Sequence, residues 1–226
     1  MNEEDIRQEA IEISRELDEE KDDRKRNPLV FIGASILVFL IILWIFPHYA
    51  VKIDPSPERI PAISEVVPDG LSIGNGSSRI DNKNDFLKFL DPNDAQIKQT
   101  ADRIVMIACP NGNRICHAKA MFYFVRDNFN YVSDPPDEYV KTAKESLATA
   151  GGDCDDLAVL LSNLEQAVGI TTRFVFVPNH VYVQLYLPEA AGKYREDGWV
   201  TVDATCNNCD FGEQSFRYKD SRKVFV

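Results

Sequence analysis

The chain has 226 residues, enough for one or two domains. Acidic residues outnumber basic ones, 36 against 25, for a formal net charge of −11, and no basic, aromatic-interleaved patch interrupts that balance; nucleic acid is excluded as the main partner. No calcium loop, nucleotide fingerprint or phosphate loop is present, so neither a metal nor a cofactor is expected.

Residues 1–28 read as a charged tail. Ile6, Ala10, Ile13 and Leu17 recur at helical spacing and predict a short amphipathic helix, as suited to a solvated tail as to a partner-binding segment. Residues 29–46 carry no charge and, with their flanks, cover a hydrocarbon core of about 30 Å. A transmembrane helix over 29–51 follows, because a buried core helix would show a polar face. A cleaved signal peptide is not expected, since the acidic leader is long and no small-residue cleavage site follows. Trp44 and Tyr49 suit the far interface. Lys21, Arg24, Lys25 and Arg26 crowd the N-terminal flank, whereas Lys52 stands alone on the other, so the N-terminus is expected in the cytoplasm and the rest of the chain outside the cell membrane.

Residues 52–82 are rich in proline and glycine and read as a linker. Within them Asn75-Gly76-Ser77 is a glycosylation sequon on the translocated side. Helical patterns return over 84–90, 94–107 and 114–128, the helical half of a domain spanning 83–226. Phe122, Phe124, Phe129 and Tyr131 are expected in the core rather than in a ligand cage. Residues 139–150 lead toward a glycine turn and are expected to wall a substrate groove.

That turn, Gly151-Gly152-Asp153-Cys154-Asp155-Asp156-Leu157, delivers a cysteine to the start of an apolar helix that ends at Gly169. Asp153 is a suitable N-cap. The helix N-terminus favours a thiolate, while three neighbouring carboxylates oppose one, so a further group must help. His180 and Asp203 follow in strand-like runs over 172–177, 180–187 and 199–203, with 192–198 a loop and 215–218 and 223–226 added edge strands. Cysteine, histidine and carboxylate in neighbouring elements form the arrangement in which a base activates a nucleophile and is itself oriented by a third group.

These residues resemble the transglutaminase-like superfamily, in particular its prokaryotic and archaeal cysteine-hydrolase-like members. The resemblance rests on Gly-Gly-Asp-Cys154-Asp-Asp with its helix, the 172–177 strand leading to His180, and Trp199 through Thr205 around Asp203. It implies an α+β fold with a papain-like, transglutaminase-like core, helices packed on an antiparallel sheet and Cys154 as nucleophile, His180 as base and Asp203 as orienter. Family members include crosslinkers, peptidases, amidases and inactive proteins.

Besides Cys154 there are two close pairs, Cys109 with Cys116 and Cys206 with Cys209. In an extracytoplasmic domain they fit two local disulfides, with two cross-pairings and a four-thiolate zinc site as the alternatives. The expected chemistry is acyl transfer on amide bonds of peptides or proteins, hydrolytic or to an amine. Gly152, Tyr182 and Trp199 are the candidate substrate or oxyanion contacts beside the Cys154 N–H. The rival readings are an inactive transglutaminase-like binding module at the cell surface and a structural membrane component that oligomerises through the N-terminal helix and the span.

Overall fold

The computed structural model describes residues 7–15, 28–73, 80–133 and 139–226. The sequon at Asn75 and two members of the N-terminal heptad pattern, Ile6 and Leu17, lie outside them. The chain divides into two compact units, Met1–Ala50 and Val51–Val226. In the first, residues 7–15 are helical, and a long helix begins that runs over Pro28–Ile53 (α1). Among the described residues one helix, Pro28–Phe46, is long and apolar enough to cross a membrane.

The second unit is built around a buried helix. α2 (Ala95–Ala108), α3 (Arg114–Asn128), α4 (Ala143–Thr149) and α5 (Cys154–Ala167) form the helical half. Each starts at a side-chain cap, Asp94, Asn113, Thr142 and Asp153 respectively, whose oxygen accepts an orphan N–H of the first turn. α5 touches α2, α3 and α4 on one side and the sheet on the other. Its apolar residues therefore cover nearly the whole circumference, and Leu157, Val159, Leu160, Leu161 and Leu164 are all buried.

The sheet has the order β5-β6-β4-β3-β7, all antiparallel, from β3 (Thr172–Val177), β4 (His180–Tyr186), β5 (Arg195–Glu196), β6 (Trp199–Val202) and β7 (Val224–Phe225). Alternation sorts β4: Val181, Val183 and Leu185 belong to the main core with α5, whereas Tyr182 joins a separate cluster with Val175 and Val177 on the opposite face. Two further strands, β1 (Asn130–Tyr131) and β2 (Gly151–Gly152), pair in parallel and fix the glycine turn. A Cβ at Gly152 would lie 2.5 Å from the Cβ of Asp156, so only glycine lets β2 pass so close to the first turn of α5.

Three local expectations change. The stretch read as a linker is packed on the domain through residue 73: Val66 is buried, Glu58 N–H donates to Ala108 O at 2.8 Å, and Asn128 donates to Pro61 O. It includes a short helix, Ile63–Val66, and Ile60, Ile63 and Leu71 find apolar cover on the core. The 192–198 loop contains β5, because Asp197 and Gly198 both take positive φ, 50° and 82°, and close a two-residue hairpin onto β6. Residues 215–218 are not an edge strand; Phe216–Tyr218 is a 3-10 turn.

Glu165, in the last turn of α5, is fully buried, and among the described residues neither carboxylate oxygen has a hydrogen-bond partner. Burial pushes its carboxyl well above the usual 4.5, so the wild type loses folding free energy as pH rises from that value. Glu165→Met, similar in volume and apolar, is expected to raise the unfolding free energy at pH 8 by roughly 1–3 kcal/mol, with the gain shrinking toward pH 4.5 in parallel denaturant titrations.

Candidate active site

Helix α5 places Cys154 in its first turn, half-buried, in a narrow cleft with Leu157, Ala158 and Val181. The β3–β4 hairpin supplies the histidine. Pro178 fixes its own φ and Asn179 takes φ 57°, a left-handed conformation that asparagine tolerates, so the turn needs only two residues and His180 opens β4 at its end. Asp203 comes directly after β6 and is buried.

The structure brings the three together. His180 Nε2 lies 2.8 Å from Asp203 Oδ2, and the Cys154 sulfur is near enough to raise the imidazole pKa as well. Asp203 is itself locked, its Oδ1 accepting from Thr205 Oγ1 at 2.7 Å and from Thr205 N–H at 3.2 Å. Burial by itself lowers the His180 pKa, but the hydrogen bond to Asp203 and the nearby Cys154 sulfur outweigh it and hold the imidazole raised to about 9. At neutral pH the histidine is an imidazolium between a carboxylate and a sulfur.

The acidic turn beside Cys154 is less negative than its sequence. Burial, reinforced by the hydrogen bond and charge of Asp153, raises Asp155 to about 8, so this carboxyl is protonated at neutral pH. Burial also raises Asp156, yet Lys141 opposes that through its ammonium and through its N–H, which donates to Asp156 Oδ1 at 2.7 Å. The 139–150 segment, expected to wall a groove, thus braces the first turn of α5. Among the described residues Asp153, Asp155 and Asp156 are the group able to offer a metal ion several carboxylate oxygens, within 4.8 Å of one another.

Both cysteine pairs are bonded locally, Cys109 to Cys116 and Cys206 to Cys209, which leaves the cross-pairings and the four-thiolate site without thiols. The second bridge closes the turn after Asp203, where Cys206 N–H donates to Asp203 O at 3.1 Å. Arg126 ties it to α3 by donating to Cys209 O at 2.8 Å. Cys154 is the free cysteine.

Two candidate contacts have side-chain partners beyond the triad. Tyr182 is buried and its hydroxyl accepts from Gln214 Nε2 at 3.1 Å, while Trp199 sits on the outer sheet face, its ring centroid 3.9 Å from the Arg173 guanidinium carbon. Strand alternation puts Trp199 on the face of the sheet opposite α5, whereas Tyr182 shares its strand parity with His180 and also lines the Cys154 cleft. Gly152 serves the close approach described above. Two tyrosines were not foreseen as site residues. Tyr218 stacks on His180 at 4.5 Å with the rings 15° apart, and Tyr131, expected in the core, is 56% exposed and feels the charge of Cys154. Both line an open groove of about 370 Å³ beside His180, with Thr205, Ser215 and Arg217. Strand propensity hid the first inside a presumed edge strand; for the second, the position just past α3 was the available signal.

Because the His180 pKa is raised from 6.5 to about 9, its charged form contributes stability that is complete below pH 6.5 and lost as pH rises through 9. Thermal unfolding of Asp203→Asn is expected to show a flatter decline than wild type between those two values.

Residues 98–204 match the family model of the transglutaminase-like superfamily. No curated protein matches the sequence. Among solved structures, calcium-bound LapG of Legionella pneumophila is 22% identical with a TM-score of 0.36, covering 47% of this chain and 61% of that one. A candidate cysteine protease from Cytophaga hutchinsonii is 22% identical with a TM-score of 0.35, covering 56% of this chain and 44% of that one. The chain therefore spans less than two thirds of the length of either. Over residues 98–204, just under half of its length, this chain is similar to the transglutaminase-like superfamily.

Proposed function

We propose that the protein is a membrane-anchored cysteine enzyme that cleaves or transfers amide acyl groups of peptides or proteins. The observation that carries this reading is the single imidazole shared between Asp203 and Cys154 at the start of a buried helix.

The step follows from those positions. Cys154 Sγ attacks the amide carbon and its proton resides on His180. The oxyanion of the tetrahedral intermediate meets the backbone N–H of Cys154, which has no acceptor among the described residues and points along the positive end of α5. Collapse breaks the C–N bond, His180 gives its proton to the departing amine, and a thioester remains. Water then yields a carboxylate, or a second amine yields a new amide; either way the incoming nucleophile gives a proton to His180 and the thiolate leaves. Asp203 holds the imidazole orientation throughout.

Residues 28–46 supply the anchor in this reading, with the basic flank of the helix retained in the cytoplasm and the domain outside. Two disulfides in a 226-residue chain suit an oxidising compartment.

The test is intact-mass analysis of the full chain in detergent, without reductant, after brief iodoacetamide treatment. A single adduct at Cys154 is expected, formed about tenfold or more slowly in His180→Ala, in line with the loss of a positioned base. Activated ester and peptide-amide substrates should then trap an acyl group on Cys154, released by water or by added amine. An unreactive Cys154 would leave a docking module in place of an enzyme.

A further inference from the structure

On the outer face of the sheet lies a second groove, of about 460 Å³, walled by β5, β6 and the segment 212–219. Its lining holds four cations, Lys193, Arg195, Lys219 and Lys223, against two acids, Glu196 and Glu213. Lys193 is engaged by Asp54 at 2.9 Å, and the carboxylate of Glu213 accepts the Asp210 N–H. Arg195, Lys219 and Lys223 make no ion pair among the described residues. A local excess of uncompensated cations on a chain of net charge −11 is a site toward which an anionic partner is drawn while the rest of the surface repels it.

The groove adjoins the one beside His180 across a single strap of chain. Residues Gly212, Gln214 and Lys219 face the basic groove, and Ser215, Arg217 and Tyr218, between them in sequence, face the groove at His180. Gln214 fixes the strap, donating to Tyr182 Oη at 3.1 Å and to Tyr218 O at 3.0 Å. Arg217 is exposed, has no ion pair among the described residues, and adds a cation at the junction. Trp199 and Thr201 of β6 also line the basic groove.

We propose that this groove is a specificity subsite that holds an acidic stretch of the peptide or protein whose amide carbon is presented to Cys154. It rests on the acyl-transfer reading above and narrows its substrate class to acidic polypeptide segments. A phosphate-rich lipid surface would use the same cations, but the shared strap connects them to the groove of His180 and favours the substrate.

The test uses the full chain in detergent and two ten-residue peptides, one alternating Glu and Ala, the other Gln and Ala, each ending in a chloromethyl ketone whose chloride the Cys154 sulfur displaces. The Glu peptide is expected to label Cys154 about tenfold faster at low salt, an advantage that salt erodes and Lys219→Glu/Lys223→Glu removes, while iodoacetamide labelling is unchanged in that variant. Equal rates for the two peptides, or an advantage that survives the double reversal, overturn the proposal. So does binding of fluorescent phosphatidylserine in mixed micelles that is lost in the variant while the peptide advantage stays intact. If Cys154 resists iodoacetamide, the acyl-transfer reading falls by itself. Anisotropy of warhead-free peptides then decides the groove: tighter Glu binding that is lost on reversal retains it, and equal binding removes it.

Discussion

The domain depends on burying one helix completely while leaving its first residue accessible. α5 is packed by three helices and a sheet, so its interior turns contribute apolar burial of roughly 1.5–3 kcal/mol for each Leu or Val removed from water. Its N-terminal amides, however, must be satisfied or left for use. Asp153 caps one of them, and among the described residues the Cys154 N–H stays unclaimed. Rigidity and an exposed donor thus arise from the same element. The absent side chain of Gly152 is what allows the preceding strand to meet the helix at that distance.

Charge is managed around this helix by different means at its two ends. At the start, an acidic run that would repel a thiolate is reduced by protonation of Asp155 and by the ammonium of Lys141 against Asp156. The positive charge of His180 then faces the sulfur with little competition. Near the other end Glu165 lies without hydrogen-bond partners among the described residues, and its neutrality is the condition for burial. Disulfide Cys206–Cys209 and Thr205 hold the carboxylate that keeps the imidazole charged. Stiffness of that turn matters because a shift of about 1 Å at an orienting group can cost about two orders of magnitude in rate.

Much of this was legible in the residues. Caps, apolar periodicity and the order Cys154, His180, Asp203 predicted α3, α5 and the three central strands nearly to their ends, because those features are local or follow from strict alternation. The Asp197-Gly198 turn is equally local, since Asp-Gly is a pair that two-residue hairpins favour. What could not be read were contacts between distant segments. Nothing in residues 54–73 signals that Asp54 will meet Lys119, Lys193 and Tyr194, which together outweigh burial and hold its carboxyl at about 2. Tyr218 over His180 is of the same kind, a pairing of residues 38 positions apart that tertiary packing alone creates. For Trp199 the complementary limit applies: sequence proximity to Asp203 does not specify which partner its ring meets, and it lies against Arg173.

The central claim is that His180 is an imidazolium held between Asp203 and Cys154. The measurement that tests it most directly is a pH titration of the His180 ring by nuclear magnetic resonance, with isotope-labelled histidine in wild type and in Asp203→Asn. A midpoint near 9 in wild type, moving down toward the ordinary 6.5 in the variant, is predicted. A midpoint at or below 6.5 in both proteins would contradict the account, since burial would then have prevailed over the carboxylate and the sulfur.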